Sequence, residues 1–314
     1  MRPGFFLLKE EINRGRKMRI LLLLCLFLHT TIFGNFSLKY PEETISAEIA
    51  DYNEFTEHTI RGPSWVAYYG EKVPPSHLYG YNPLVLFPGH HPILAPLLVK
   101  GKTLLAYLSL ADTHPKDFYH KSTKKGKLTL EKNPADPKRL VVDIRDPKWE
   151  ELLLGTIIPE ILAEGFNGFC LCNLDAALNL EQKNPEKYHG MTAAALNLIA
   201  KIHELYGEYQ IMIDMHGLLH IGEQLLPYAD MLLYEHLYTK KIGKELAINS
   251  TQNYLLTAQA LHALAEKKQG LTVYTLDFWP AKESALIKQI YAKQRSYQFV
   301  PYIADSLERI TPEP

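Results

Sequence analysis

The sequence predicts an α/β chain: a single (β/α)8 barrel, or TIM barrel, over residues 63–310. Three observations predict it. About eight short apolar runs read as strands, and several are followed by helix-period segments, the alternation of a parallel sheet. The runs are almost continuously apolar, as strands buried on both faces are. The length left after the N-terminal segments, roughly 250 residues, is what such a barrel needs. A doubly wound open sheet is the alternative, but no GxGxxG follows the first strand, so a dinucleotide site has no support.

The elements follow in order. WVAYYG (65–70), PLVLFP (83–88), TLLAYLSLAD (103–112) and RLVVDIRD (139–146) read as strands. DPKWEELLLGTIIPEILAEG (146–165) reads as a helix, with Asp146 as N-cap, Pro147 at its first position and Gly165 as its stop. GFCLC (168–172) is a strand that runs out into a loop carrying Asp175. MTAAALNLIAKIHELYG (191–207) is a helix. YQIMIDMHG (209–217) and DMLLYEHL (230–237) are strands. Helical periodicity returns from Thr251 to Lys268. LTVYTLDFWP (271–280) is a strand, KESALIKQIYAKQRS (282–296) a helix and YQFVPYIAD (297–305) the last strand. Segments 78–102 and 113–138, rich in Pro, Gly and Lys, read as loops.

Composition narrows the function classes. The chain is 46% hydrophobic with a formal net charge of −1, which gives no global field for nucleic acid. MRILLLLCLFLHTTIFG (18–34) has a basic start, a short apolar core and a small residue at its end. Residues 1–34 therefore read as a signal peptide, with an uncleaved membrane anchor as the alternative. The expectation is a secreted or periplasmic protein, or one anchored by residues 18–34. Residues 35–62 read as a linker. Past the leader only Cys170 and Cys172 remain, on one face of one strand, so no disulfide framework is expected.

The positions of the acids are the informative pattern. Asp112, Asp175, Asp214, Glu235 and Asp277 each end, or lie just past, an apolar strand. In a barrel those ends converge on the catalytic face. Acids gathered in one mouth repel one another and raise some pKa values, so that one carboxyl serves as acid and another as base or nucleophile. Asp also caps helices and opens turns, so any single position has an ordinary structural reading. Asp143 and Asp146 are read that way. Tyr68, Tyr69, Tyr107, Tyr234, Tyr238, Phe278 and Trp279 lie near the same ends. Aromatic faces stack on sugar rings, although core packing is their commonest use. Acids with aromatics favour a carbohydrate ligand, and the acid excess favours a cationic one. Asp214, His216, Glu235 and His236 form an alternative metal-binding set, but no HExxH or HxH occurs, so no metal and no cofactor is expected.

The block VVDIRDPKWEELLLGTIIPEILAEGFNGFCLCNLDAAL resembles the signature of glycoside hydrolase family 114, whose pattern reads V-D-x-R-D-P-x-W, a helix, then G-F-D-G-x-F-L-D-x-x-D. WVAYYG, AYLSLAD, LLYEHLY and VPYIADSLERI resemble its outer segments. The resemblance implies a (β/α)8 barrel that cleaves α-1,4-linked galactosamine and N-acetylgalactosamine exopolysaccharide, in the setting of exopolysaccharide machinery. It implies Asp175 and Glu235 as the catalytic pair, Glu235 as general acid and Asp175 as base or nucleophile. Tyr69, Tyr107, Asp112, Cys172, Asp214, His216, Asp277 and Trp279 are the expected substrate contacts. Cys172 stands where the family has an aspartate. A thiol cannot supply carboxylate chemistry. A barrel that binds an amino-sugar polymer without cleaving it is therefore the alternative.

Overall fold

The computed structural model describes residues 64–314, except Lys244. The leader and linker readings, at 1–34 and 35–62, lie outside the described residues.

Eight strands form one sheet: β1 (Val66–Tyr68), β2 (Leu84–Leu86), β3 (Leu104–Ser109), β4 (Gly168–Cys172), β5 (Gln210–Asp214), β6 (Met231–Glu235), β7 (Thr272–Phe278) and β8 (Val300–Ala304). They are neighbours in chain order and every pairing is parallel. The two edges meet at a seam. There the Trp65 indole N–H donates to the Val300 carbonyl at 2.8 Å, and the Tyr69 amide donates to the Leu307 carbonyl at 2.6 Å. Trp65 is fully buried and meets Tyr274 and Tyr302 edge-on, with ring centres 5.6 and 5.9 Å away. The result is the (β/α)8 barrel that the alternation predicts.

The outer helices follow from their caps and apolar faces. α1 (Ala95–Val99) lies inside a segment expected to be loop. α2 starts at Pro147, widens to a π-helical turn over Leu153–Ile157 and resumes to Glu164. Asp146 caps it by accepting the Lys148 amide, and Gly165 stops it at φ 108°, a conformation that costs glycine little. Its buried Trp149 donates to the Leu110 carbonyl at 3.0 Å, which fixes α2 under the end of β3. α3 (Asp175–Lys183), α4 (Met191–Tyr206), α5 (Thr251–Glu266) and α6 (Ser284–Arg295) complete the shell. Each inward leucine or isoleucine that leaves water contributes about 1.5–3 kcal/mol. Among the described residues, no helix is long and apolar enough to cross a membrane.

Further expectations are corrected: segment 113–138 is not all loop, since it holds the helix His120–Lys125 and the strand Thr129–Lys132. RLVVDIRD is not a barrel strand. Its Leu140–Val142 pairs antiparallel with Asp112–Thr113 and with Thr129–Lys132, in a small sheet beyond β3. An apolar run shows that a strand is buried, not which sheet takes it. The chain after β4 is also not a loop: α3 begins at Asp175 itself. A hairpin, Thr239–Ile242 with Glu245–Ile248, follows β6.

Candidate active site

The residues following β4 and β6 leave the sheet abruptly. Asn173 and His236 both have positive φ, 60° and 59°. For residues other than glycine this conformation is uncommon and is typically held in place by surrounding contacts. These turns put Asp175 and Glu235 at the mouth on neighbouring sides of β5, which ends in Asp214.

Glu235 is part-buried, and its carboxyl takes no hydrogen bond from the described residues. Burial first, then the charges of Asp214 and Asp175, raise its pKa to about 8 against the opposing pull of Arg139. Asp214 is 7% exposed and is pushed up to about 6, again chiefly by burial. It accepts the His216 amide at 3.1 Å, and the His216 ring holds it down in turn. Asp175 is raised by burial, but His216 and the backbone amides at the start of α3 favour its ionised form. His216 is exposed, its Nδ1 3.1 Å from the Glu235 carbonyl. Gly217, at φ 71°, seals this side: a Cβ there would lie 2.8 Å from the Asp175 Cβ. The site thus separates its acids. Glu235 holds its proton up to about pH 8, while at Asp175 the His216 ring and the backbone amides oppose part of the rise that burial and Asp112 cause.

Two other strand-end acids are fully buried and already hold several hydrogen-bond donors. Asp112 is fully buried and accepts Ser109, Arg139 Nε at 2.8 Å, Asn133 at 2.9 Å and Asn173 at 3.2 Å. Asp277 is fully buried and accepts the Tyr238 and Thr239 amides, the Thr239 hydroxyl and the Gln294 amide. It pins the hairpin after β6 to β7 and α6. Trp279 sits past β7 with its indole N–H donated to Glu283 at 3.0 Å.

The opposite wall is aromatic. Tyr69, Phe87 and Tyr107 form a triangle with ring centres 5.3 to 5.8 Å apart. Both tyrosines are raised well above their usual pKa by burial. Tyr107 accepts Asn173 Nδ2 at 2.6 Å. Cys172 lies in the floor, 2% exposed, with its sulfur 3.5 Å from that of Cys170. Its pKa is pushed up by the hydrogen bond to Cys170, then by burial and the nearby acids. A neutral buried thiol is no nucleophile. Both cysteines are free, as their spacing predicts.

Sequence reasoning missed Arg139, Asn173 and Asp117. Arg139 is nearly buried between Asp112 and Asp117 and stands 5.9 Å from the Tyr107 ring, a fixed cation under the floor. Its only signal in the sequence is an arginine opening an apolar run, and that run belongs to the small antiparallel sheet rather than to the barrel. Among the described residues, no three His, Cys, Asp or Glu side chains converge to hold a metal. His236 instead packs on Phe278, with ring centres 5.1 Å apart.

A (β/α)8 barrel whose mouth sets a protonated carboxyl among ionisable ones has the parts of a glycoside hydrolase. The sequence pattern of glycoside-hydrolase family GH114 matches residues 90–308, and the chain belongs to that family. Among solved structures it is similar to the glycoside hydrolase domain of PelA from Pseudomonas aeruginosa. The two are 21% identical with a TM-score of 0.67, over 80% of this chain and 99% of that one. It is also similar to Aspergillus fumigatus Ega3 in complex with galactosamine, at 13% identity and a TM-score of 0.56, over 80% and 93% of the two chains. No curated protein sequence matches.

Proposed function

We propose that this glycosidase hydrolyses an α-1,4-linked polymer of galactosamine and N-acetylgalactosamine. The observation that carries the reading is Glu235: a carboxyl with no hydrogen-bonding donor among the described residues, held protonated at a strand end among other acids. Glu235 gives its proton to the glycosidic oxygen as the C1–O bond breaks. Asp175 then either attacks C1 or takes a proton from the water that does, and water completes the cleavage. Asp214 and Asp175 offer the negative field that an ammonium-bearing sugar needs. The galactosamine in the Ega3 complex and the motif resemblance support the same substrate class. The leader-like segment 18–34 supports delivery outside the cytoplasm, free or membrane-attached, alongside exopolysaccharide machinery.

Cys172 favours a second reading, a barrel that binds the polymer without cutting it. Release of reducing ends from partly acetylated α-1,4-galactosamine polymer decides between them. Cleavage by the natural chain that falls a hundredfold or more in Glu235→Gln supports hydrolysis. Cleavage only after Cys172→Asp, with polymer binding by both proteins, selects the binding role.

A further inference from the structure

A hydrogen-bond chain climbs from the floor of the mouth to its aromatic wall, and its direction follows from its first member. Arg139 has only donors, and its Nε gives to Asp112 Oδ1 at 2.8 Å. The Ser109 hydroxyl spends its single hydrogen on Asp112 too. The Asn173 side chain therefore meets two acceptors, the Ser109 oxygen and Asp112 Oδ1, each 3.2 Å from its Nδ2. Only its NH2 end can face them, because its carbonyl oxygen there would oppose a carboxyl oxygen with no hydrogen between them. The same Nδ2 lies 2.6 Å from the Tyr107 oxygen, so Tyr107 accepts this bond and keeps its own hydrogen unspent. Among the described residues no group accepts that hydrogen.

The Tyr107 ring is held from three sides, with the rings of Tyr69 and Phe87 centred 5.3 and 5.8 Å away and Arg139 at 5.9 Å. Burial keeps its pKa well above the usual value, so the hydrogen is not lost to solvent. A phenol hydrogen lies near the ring plane, on one side of the oxygen or the other. The Asn173 amide occupies one side and leaves the other, and Tyr107 stays part-exposed at this wall. Asn173 keeps its place at φ 60°, which asparagine tolerates better than most residues, and its carbonyl accepts the Ala176 amide at 3.3 Å. We infer that Asn173 is a positioning residue, which turns the Tyr107 hydroxyl to the mouth as a hydrogen-bond donor for an oxygen of the bound sugar. The partner must bring a lone pair, as a sugar hydroxyl or ring oxygen does. The sugar is taken from the hydrolase reading above; the direction of the bond rests on Arg139, Asp112 and Ser109 alone.

The test is a double-mutant cycle. Binding of a partly acetylated α-1,4-galactosamine oligomer is measured by calorimetry to Glu235→Gln carrying Tyr107→Phe, Asn173→Gly or both. Glycine accepts a φ of 60° and removes only the amide. Asn173→Ser, which also lacks the amide, serves if the glycine variant does not fold. Each single change should weaken binding about three- to tenfold, the worth of one neutral hydrogen bond. The double variant should bind within about twofold of Tyr107→Phe alone, because both changes remove the same bond. In the cleaving chain Tyr107→Phe should raise KM while the pH limits of kcat stay in place. Losses that multiply in the double variant overturn the inference, since Asn173 would then act through the turn and not through Tyr107. Unchanged affinity in Tyr107→Phe overturns it too. Absence of cleavage by the natural chain with the binding pattern intact removes hydrolysis and leaves the role of Asn173 standing. If neither the natural chain nor Glu235→Gln binds the oligomer, both fall.

Discussion

Glu235 and Asp277 end neighbouring strands and give the same signal in sequence, an acid closing an apolar run. Their fates differ because of donors from distant segments. Tyr238, Thr239 and Gln294 donate to both oxygens of Asp277, and no described residue donates to the Glu235 carboxyl. Sequence therefore locates the acids at the mouth but cannot sort the working ones from the satisfied ones. Asp112 is the second example, since its main partner, Arg139, lies 27 residues away. The Glu235 assignment has a thermodynamic consequence. Its pKa rises from an ordinary 4.5 to about 8, so between those values the folded chain holds a proton that the unfolded chain has released. Stability then falls as pH rises through that window. Glu235→Gln should stabilise the fold by on the order of 1–3 kcal/mol at pH 8 and by nothing at pH 4. Urea unfolding at both values measures it, and an equal change at both would show that burial does not hold the proton. Cys172→Asp adds a carboxyl to the same floor. It should raise the apparent pKa of the group set further, move the basic limb of kcat/KM upward, and destabilise the fold more at pH 8 than at pH 5. A limb that stays in place would show that Cys172 does not feel the acids.

At the scale of elements, the mouth is built by turns rather than by strands. Gly217 lies against Asp175 with no room for a methyl group and at a φ that favours glycine. Gly217→Ala should cost about 1–3 kcal/mol and displace Asp175, so that kcat falls more than the loss of folded protein accounts for. Activity per folded molecule, with the folded fraction taken from thermal melts, reads the difference. Asp277→Ala should cost about 2–4 kcal/mol by orphaning buried donors, and it frees the hairpin after β6. If Asp277 only anchors, substrate affinity should fall while the pH profile stays unchanged. A changed profile would return Asp277 to the chemistry. The barrel strands and the longer helices were legible because each carries its own period and caps, as α2 does with Asp146, Pro147 and Gly165. The small sheet that receives Leu140–Val142 was not, because its partners are two short segments of an excursion with no period of their own.

For the whole molecule, the alternation of apolar runs gave the barrel, while its closure rests on contacts that no local pattern announces. The seam between β8 and β1 depends on Trp65, whose indole spans to Val300, 235 residues away. Trp65→Phe keeps most of the apolar area and loses that bond. It should lower stability by about 1–2 kcal/mol, seen as a fall in Tm, with the pH dependence of catalysis unchanged. The seam also sets where load enters the molecule. Tension applied to the chain ahead of Ser64 reaches the barrel first at Trp65, next to that hydrogen bond and between Tyr274 and Tyr302. A pull there loads the Trp65 indole and its two edge-on ring contacts ahead of β4 and β6. The catalytic mouth is mechanically downstream of the clasp, and a stretched chain would lose its closure before its acids lost their alignment.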